Sequence, residues 1–73
     1  MRIRVTICDN DNKYYRKEVE AEINSIDWLV YKDSFEHCAY EEFTKAWDNI
    51  CNDIQAQNDL PYDWHVVGEI KEA

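Results

Sequence analysis

The chain is predicted to be a single α+β domain, in which a small antiparallel β-sheet packs on one long amphipathic α-helix in the order βββαβ. Near both ends of the chain, apolar residues alternate with polar ones, which is the period of a half-buried strand. In the middle they recur every three or four residues, which is the period of a helix with one buried face. With one glycine and one proline among 73 residues, residues 1–73 contain no linker and are expected to form one domain.

An N-terminal hairpin supplies the first two strands. The alternating residues of the first strand are Ile3, Val5 and Ile7, and those of the second are Tyr15, Val19, Ala21 and Ile23. Between them, residues 9–12 read Asp-Asn-Asp-Asn and predict a turn, because these side chains bond their own backbone and tolerate left-handed conformations.

The register of the hairpin is predicted from charge. Placing Ile3 opposite Val19 also puts Arg2 opposite Glu20 and Arg4 opposite Glu18, whereas a slip by one residue loses these matches. Arg2 and Arg4 are therefore expected to be paired within the hairpin rather than free to bind phosphate.

A third strand is predicted over residues 26–31, because Ile26, Trp28 and Val30 occupy alternate positions. The alternative is a short helix in this segment, with Asn24 as its N-cap.

The long helix is predicted over residues 33–57. Asp33 and Glu36 have the spacing of a capping box, and the Asn-Asp-Leu-Pro sequence at 58–61 is expected to end the helix near Gln57. Its apolar stripe consists of Phe35, Ala39, Phe43, Ala46, Trp47, Ile50 and Ile54. A last strand follows from the alternation of Trp64, Val66, Gly68 and Ile70.

Charge is distributed unevenly along the chain, whose formal net charge is −8. Residues 1–17 hold five bases and two acids, a net of +3, and residues 18–73 hold fourteen acids and three bases, a net of −11. An acidic protein attracts basic surfaces and repels polyanions. The expected partner is therefore a basic protein, with no direct binding of nucleic acid.

No enzyme activity, cofactor or metal is predicted. A single glycine excludes a Gly-rich phosphate loop. Three cysteines without CxxC spacing fit reduced thiols in a cytoplasmic protein, and no apolar run approaches the roughly 20 residues of a membrane span. The residues that could bind a soft metal follow no zinc pattern; they are Cys8, His37, Cys38, Cys51 and His65.

The predicted partner-binding residues are mostly acids on or near the solvent side of the long helix. Glu41 and Asp48 lie two turns apart on that side. The helix carries too few acids to imitate duplex DNA along its length, because a duplex has one charge per roughly 1.7 Å, but it could occupy a short basic groove. Tyrosine beside carboxylates is a common composition of interfaces. The full set is Tyr40, Glu41, Glu42, Asp48, Asp53 and Asp63.

In size and charge alone, the chain is similar to small phage and mobile-element inhibitors such as anti-CRISPR and anti-restriction proteins. That similarity carries over no residue. It implies a non-enzymatic inhibitor that acts as a partial nucleic-acid mimic on a basic, nucleic-acid-handling protein of the host. Two alternatives remain: a small accessory module that self-associates, as a homodimer through a sheet edge or the open sheet face, and nucleic-acid binding through the basic hairpin, with Arg16 and Lys17 beside Tyr14.

Overall fold

A computed structural model describes residues 1–37 and 40–73, and all side chains outside residues 34–40. The predicted α+β class is confirmed, since three antiparallel strands form one sheet in the order β2-β1-β3 and two helices accompany it. The element order is ββααβ rather than βββαβ. In chain order the elements are β1 (Arg2–Asp9), β2 (Asn12–Glu22), α1 (Ser25–His37), α2 (Tyr40–Gln57) and β3 (Trp64–Glu72).

The predicted third strand is wrong, because residues 26–31 lie within α1. Asn24 caps this helix, as the alternative interpretation held. Its Oδ1 accepts a hydrogen bond from the Ile26 N–H at 2.7 Å, and its carbonyl accepts one from the Trp28 N–H at 3.2 Å. A short apolar run fits a strand or a helix equally well by period alone, and here the cap decides between them.

The predicted single long helix is in fact two helices, α1 and α2. Asp33 lies well inside α1, so it does not begin a helix, and the predicted capping box with Glu36 is wrong. The predicted apolar stripe from Phe43 onward belongs to α2, which ends at Gln57 as expected. Ala39 lies outside the described residues.

The predicted hairpin turn at residues 9–12 is confirmed. Asp9 Oδ1 accepts a hydrogen bond from the Asp11 N–H at 3.0 Å, and Asn12 Oδ1 accepts one from the Tyr14 N–H at 3.1 Å. These are the local side-chain to backbone bonds that favour Asp and Asn in turns.

The predicted register of the hairpin is wrong by two residues. Arg2 lies opposite Glu22, and Arg4 lies opposite Glu20. The cause is an irregularity between Cys8 and Asp9, which leaves extra residues on the β2 side near the turn. Because the shift is an even number of residues, Val19 and Ala21 keep the buried face on which they were predicted to lie.

The core lies between one face of the sheet and the two helices. β1 is the central strand and contributes Ile3, Val5 and Ile7, while Ile50 and Ile54 contribute from α2. The buried cluster comprises Ile3, Val5, Ile7, Val19, Ala21, Ile23, Trp28, Ile50, Ile54 and Ile70. Three stacked aromatic contacts extend it between the helices, with Tyr31 at 5.3 to 5.9 Å from the rings of Trp28, Phe43 and Trp47.

β3 contains a bulge at its only glycine. The pairing of β1 with β3 shifts between Arg4 and Thr6, and Gly68 on β3 has a φ of 73°. A φ in this range is strained for residues that carry a Cβ. The bulge ends the first regular stretch of β3, and a second regular stretch pairs Lys71 with Arg4 and Glu72 with Ile3.

Replacing Gly68 by alanine is expected to lower the free energy of unfolding by about 1 kcal/mol, the cost of a left-handed conformation with a Cβ. A Cβ at this position would meet no atom within 4 Å, so the cost is conformational rather than steric. Gly68→Asn is the control, because asparagine tolerates this conformation better. Urea denaturation of the three proteins measures the difference; an alanine variant as stable as the parent would contradict the assigned φ.

Candidate partner-binding face

α2 is amphipathic, and its polar side carries the acids singled out by the sequence. Ala46, Ile50 and Ile54 recur at intervals of four residues and are buried on the side of α2 that packs against α1 and β2. Glu41 and Asp48 lie on the opposite side and are exposed. The face was predicted correctly because the helical period from Phe43 to Ile54 fixes which residues point away from the core.

Glu41 and Asp48 line one shallow depression of about 420 Å³, together with Thr44, Lys45 and Asn49. Their Cα atoms are separated by two turns, about 10 Å along the helix axis. No ion pair joins either carboxylate to another described residue. This depression with its two carboxylates is the acidic face, and both charges are available to an incoming cation.

The other predicted site residues are not part of this depression. Glu42 is exposed and Asp53 is half-buried, both beside the apolar side of α2. Asp63 lies at the hairpin tip, where its Oδ1 accepts a hydrogen bond from Asn10 Nδ2 at 3.0 Å and its carbonyl accepts one from the Asn10 N–H. The side chain of Tyr40 lies outside the described residues.

One acid that borders the acidic face was not among the predicted site residues. Asp27 of α1 accepts a hydrogen bond on Oδ1 from Asn49 Nδ2 at 3.2 Å. Asn49 also lines the depression, so Asp27 adds a carboxylate at its border. The sequence predicts Asp27 in a strand rather than in a helix beside α2, so its contact with Asn49 could not be predicted.

The cations at the start of β1 are paired on the open face of the sheet. Arg2 Nε lies 2.9 Å from Glu20 Oε1, and Arg4 Nε lies 3.5 Å from Glu18 Oε1. These are the predicted partners, although they are reached diagonally in the observed register. The hydrogen bond from Arg2, opposed by partial desolvation and assisted by the charge of Arg4, lowers the pKa of Glu20.

The rest of the basic hairpin is exposed. Arg16 and Lys17 lie on β2 with solvent-exposed side chains. Lys13 Nζ lies 5.2 Å from the centre of the Tyr14 ring, so this lysine covers the aromatic surface that would stack on a base.

The thiols and imidazoles do not form a metal site within the described part of the chain, where no three potential ligands converge. Cys8 and His65 are cross-strand neighbours on β1 and β3, a proximity that the sequence spacing did not indicate. Cys51 is half-buried on α2. The remaining candidates, Cys38 and the side chain of His37, lie outside the described residues.

Cys51 is expected to resist alkylation. Burial, assisted by the nearby Asp48 carboxylate, raises the pKa of its thiol from 9.0 to about 11. A rise of two pKa units reduces the thiolate about a hundredfold near neutral pH, so iodoacetamide should modify Cys51 about a hundredfold more slowly than an ordinary exposed thiol. Peptide mass spectrometry of the folded and urea-unfolded protein measures this ratio; equal rates would contradict the burial.

The same pKa shift makes stability depend on alkaline pH. Because the folded state holds the Cys51 proton more tightly than the unfolded state, this contribution is complete below about pH 9 and is lost as the pH rises toward 11. Burial also raises the pKa of Tyr31, which acts in the same direction.

Comparison with known proteins gives no relative: no protein-family model, no curated protein and no solved structure matches this chain. Within the described ranges, neither α1 nor α2 combines the length and the apolar content that a membrane-spanning helix needs.

Proposed function

We propose that this protein is a non-enzymatic binding protein that docks through the acidic face of α2 on a positively charged surface of a partner protein. The main support for this proposal is that residues 25–63 are much more acidic than the rest of the chain. Residues 25–63, which contain both helices, hold nine acids and two bases, a net of −7; the remaining residues hold seven acids and six bases, a net of −1. Residues 25–63 are therefore the source of nearly all the net negative charge.

The pairing of charges supports the same face. The ion pairs between described residues lie in the β1–β2 hairpin and at its N-terminus, where arginines and the terminal ammonium neutralise glutamates. Among the described residues, neither Glu41 nor Asp48 has such a partner. Unpaired exposed carboxylates create a negative potential that steers a basic surface and accelerates its association.

The length and charge of α2 favour a short contact with the partner. α2 has 18 residues and is about 27 Å long, beside which a duplex would present roughly 16 charges. The helix carries four acids and one lysine. The proposed partner is accordingly a protein with a local basic groove, of the kind used to handle nucleic acid, and the proposed role is its inhibition in the cytoplasm.

Neutralising the acidic face is expected to weaken partner binding by about tenfold or more, because two charge contacts of roughly 0.7 kcal/mol each are lost. The variant is Glu41→Gln with Asp48→Asn. Its matched control is Asp11→Asn with Glu18→Gln, which removes the same charge from exposed positions of the hairpin. Both pairs should retain the circular dichroism spectrum of the parent.

The partner is identified by affinity capture from a lysate of the source organism at low salt, followed by elution in salt steps and identification by mass spectrometry. A basic protein retained by the parent and by the control, but not by the acidic-face variant, is the expected result. Equal retention by all three proteins, or recovery of the bait alone, would overturn the proposal.

A further inference from the structure

The two edge strands of the sheet, β2 and β3, differ in whether side chains from elsewhere bond to their outward-pointing backbone groups. At the β2 edge, the side-chain amide of Gln57 makes two hydrogen bonds of 2.7 Å with the N–H and C=O of Glu22, and Asn58 Nδ2 donates to the Glu20 carbonyl at 3.0 Å. These amides take the place of a neighbouring strand. Capping of this kind protects an edge against pairing with another chain.

No described residue caps the β3 edge in this way. The N–H of Ala73 donates to the Arg2 carbonyl at 3.0 Å, which means that residue 73 points its backbone groups toward β1. Since these groups alternate in direction along an antiparallel strand, Ile70 and Glu72 point theirs away from β1. No side chain of a described residue makes a hydrogen bond to the backbone of either residue.

An open groove runs along this uncapped edge. It has a volume of about 870 Å³ and lies between residues 68–72 of β3 and one side of α1, where Trp28, Tyr31 and Lys32 line it. No Cα atom of α1 in the described chain lies within 8 Å of a strand. Helix α1 therefore does not fill the space beside residues 68–72 of β3, and Trp28 and Tyr31 form one wall of this groove.

The charges of the edge are self-complementary. Glu69 and Lys71 flank Ile70, both are exposed, and neither makes an ion pair with a described residue. In an antiparallel pair of two β3 strands centred on Ile70, Glu69 of each copy faces Lys71 of the other. Opposite charges placed directly across an antiparallel pair stabilise it.

We propose that two copies of this chain associate through their β3 edges, with a two-fold axis passing between the two Ile70 residues. Centring on Ile70 uses the outward-pointing backbone groups of the two Ile70 residues, which face each other. A centre at residue 71 would also use the groups of Ile70 and Glu72, but it would place the two Lys71 side chains directly opposite each other. The two sheets join into one antiparallel sheet of six strands, and both helical sides lie on the same face of it. The acidic face of α2 stays exposed, so this dimer is separate from the proposed docking on a basic partner.

The test uses two charge variants. Each variant alone should dimerise more weakly than the parent, and a mixture of the two should form a heterodimer. Glu69→Lys places lysine opposite lysine, and Lys71→Glu places glutamate opposite glutamate, so each variant should raise the dimer dissociation constant at least about tenfold. When the two variants are mixed, lysine faces glutamate at both positions, and the heterodimer should form with the affinity of the parent. Sedimentation equilibrium at physiological salt, from micromolar to near-millimolar protein, measures all four cases.

The controls change charge by the same amounts elsewhere. Asp11→Lys and Lys17→Glu, both exposed residues of the hairpin, should leave the dissociation constant unchanged. A parent that stays monomeric throughout the concentration range would overturn the proposal, since the bulge and charges of β3 would then protect the edge. A parent dimer that both β3 variants retain would also overturn it, because the interface would lie elsewhere. Neither result would affect capture of a basic partner by α2.

Discussion

Replacing Ile50 by alanine is expected to lower the free energy of unfolding by about 2 to 4 kcal/mol. The side chain is fully buried in the centre of the core, where a deletion of this size removes apolar burial and leaves a cavity. Domains have total stabilities of about 5 to 15 kcal/mol, and small ones lie at the low end. The variant should therefore lose a large fraction of its stability, which urea denaturation followed by circular dichroism measures.

The matched control for Ile50 is Leu29→Ala, which removes an aliphatic side chain of the same size from an exposed position on the other helix. Leu29 is 64% exposed, so its truncation should change the free energy of unfolding by less than about 0.5 kcal/mol. Equal losses from the two variants would mean that α2 does not bury the side on which Ile50 lies.

Trp28→Ala is expected to have the largest effect of any single substitution proposed, about 3 to 5 kcal/mol. Trp28 is 7% exposed, and its ring is stacked on Tyr31 at 5.9 Å, so it joins α1 to the core. At this cost the variant should be largely unfolded at room temperature or show a strongly reduced Tm. Thermal denaturation followed by circular dichroism measures the shift.

Ile26→Ala is the control that distinguishes a helix from a strand in this segment. In a strand, residues 26 and 28 share a face and would both be buried. In α1 they lie on different sides, and Ile26 is 67% exposed. The control should therefore lose less than about 0.5 kcal/mol; a loss comparable with that of Trp28→Ala would contradict the helix.

The elements that the sequence predicted correctly have strong local signals. The alternation in β1, the Asp-Asn-Asp-Asn turn and the end of α2 at Gln57 are all found. The segment of α1 was predicted as a strand because Ile26, Trp28 and Val30 alternate. This stretch is too short for its period to distinguish a strand from a helix. The two-residue shift in the hairpin register arises from the irregularity next to the turn, which the pattern of charges does not contain.

The candidate site was predictable where it depends on a single helix. Glu41 and Asp48 share a face because both lie in α2, and the sequence period is sufficient for that. The position of Asp63 could not be predicted, because it depends on a loop that brings this residue to Asn10, a contact between distant parts of the chain. The groove beside β3 could not be predicted from the sequence, because α1 forms one of its sides and the sequence pattern predicts a strand in place of α1.

Binding of a basic partner by the acidic face of α2 is measured by the dissociation constant of the purified captured partner. It is measured at low and high salt for the parent, for Glu41→Gln with Asp48→Asn, and for the control Asp11→Asn with Glu18→Gln. We predict that the acidic-face variant binds about tenfold or more weakly than the control at low salt, and that salt weakens the parent more steeply than this variant, because screened charge contacts are what the variant lacks. Equal affinities and equal salt dependence for the two variants would show that the partner does not bind through the acidic face.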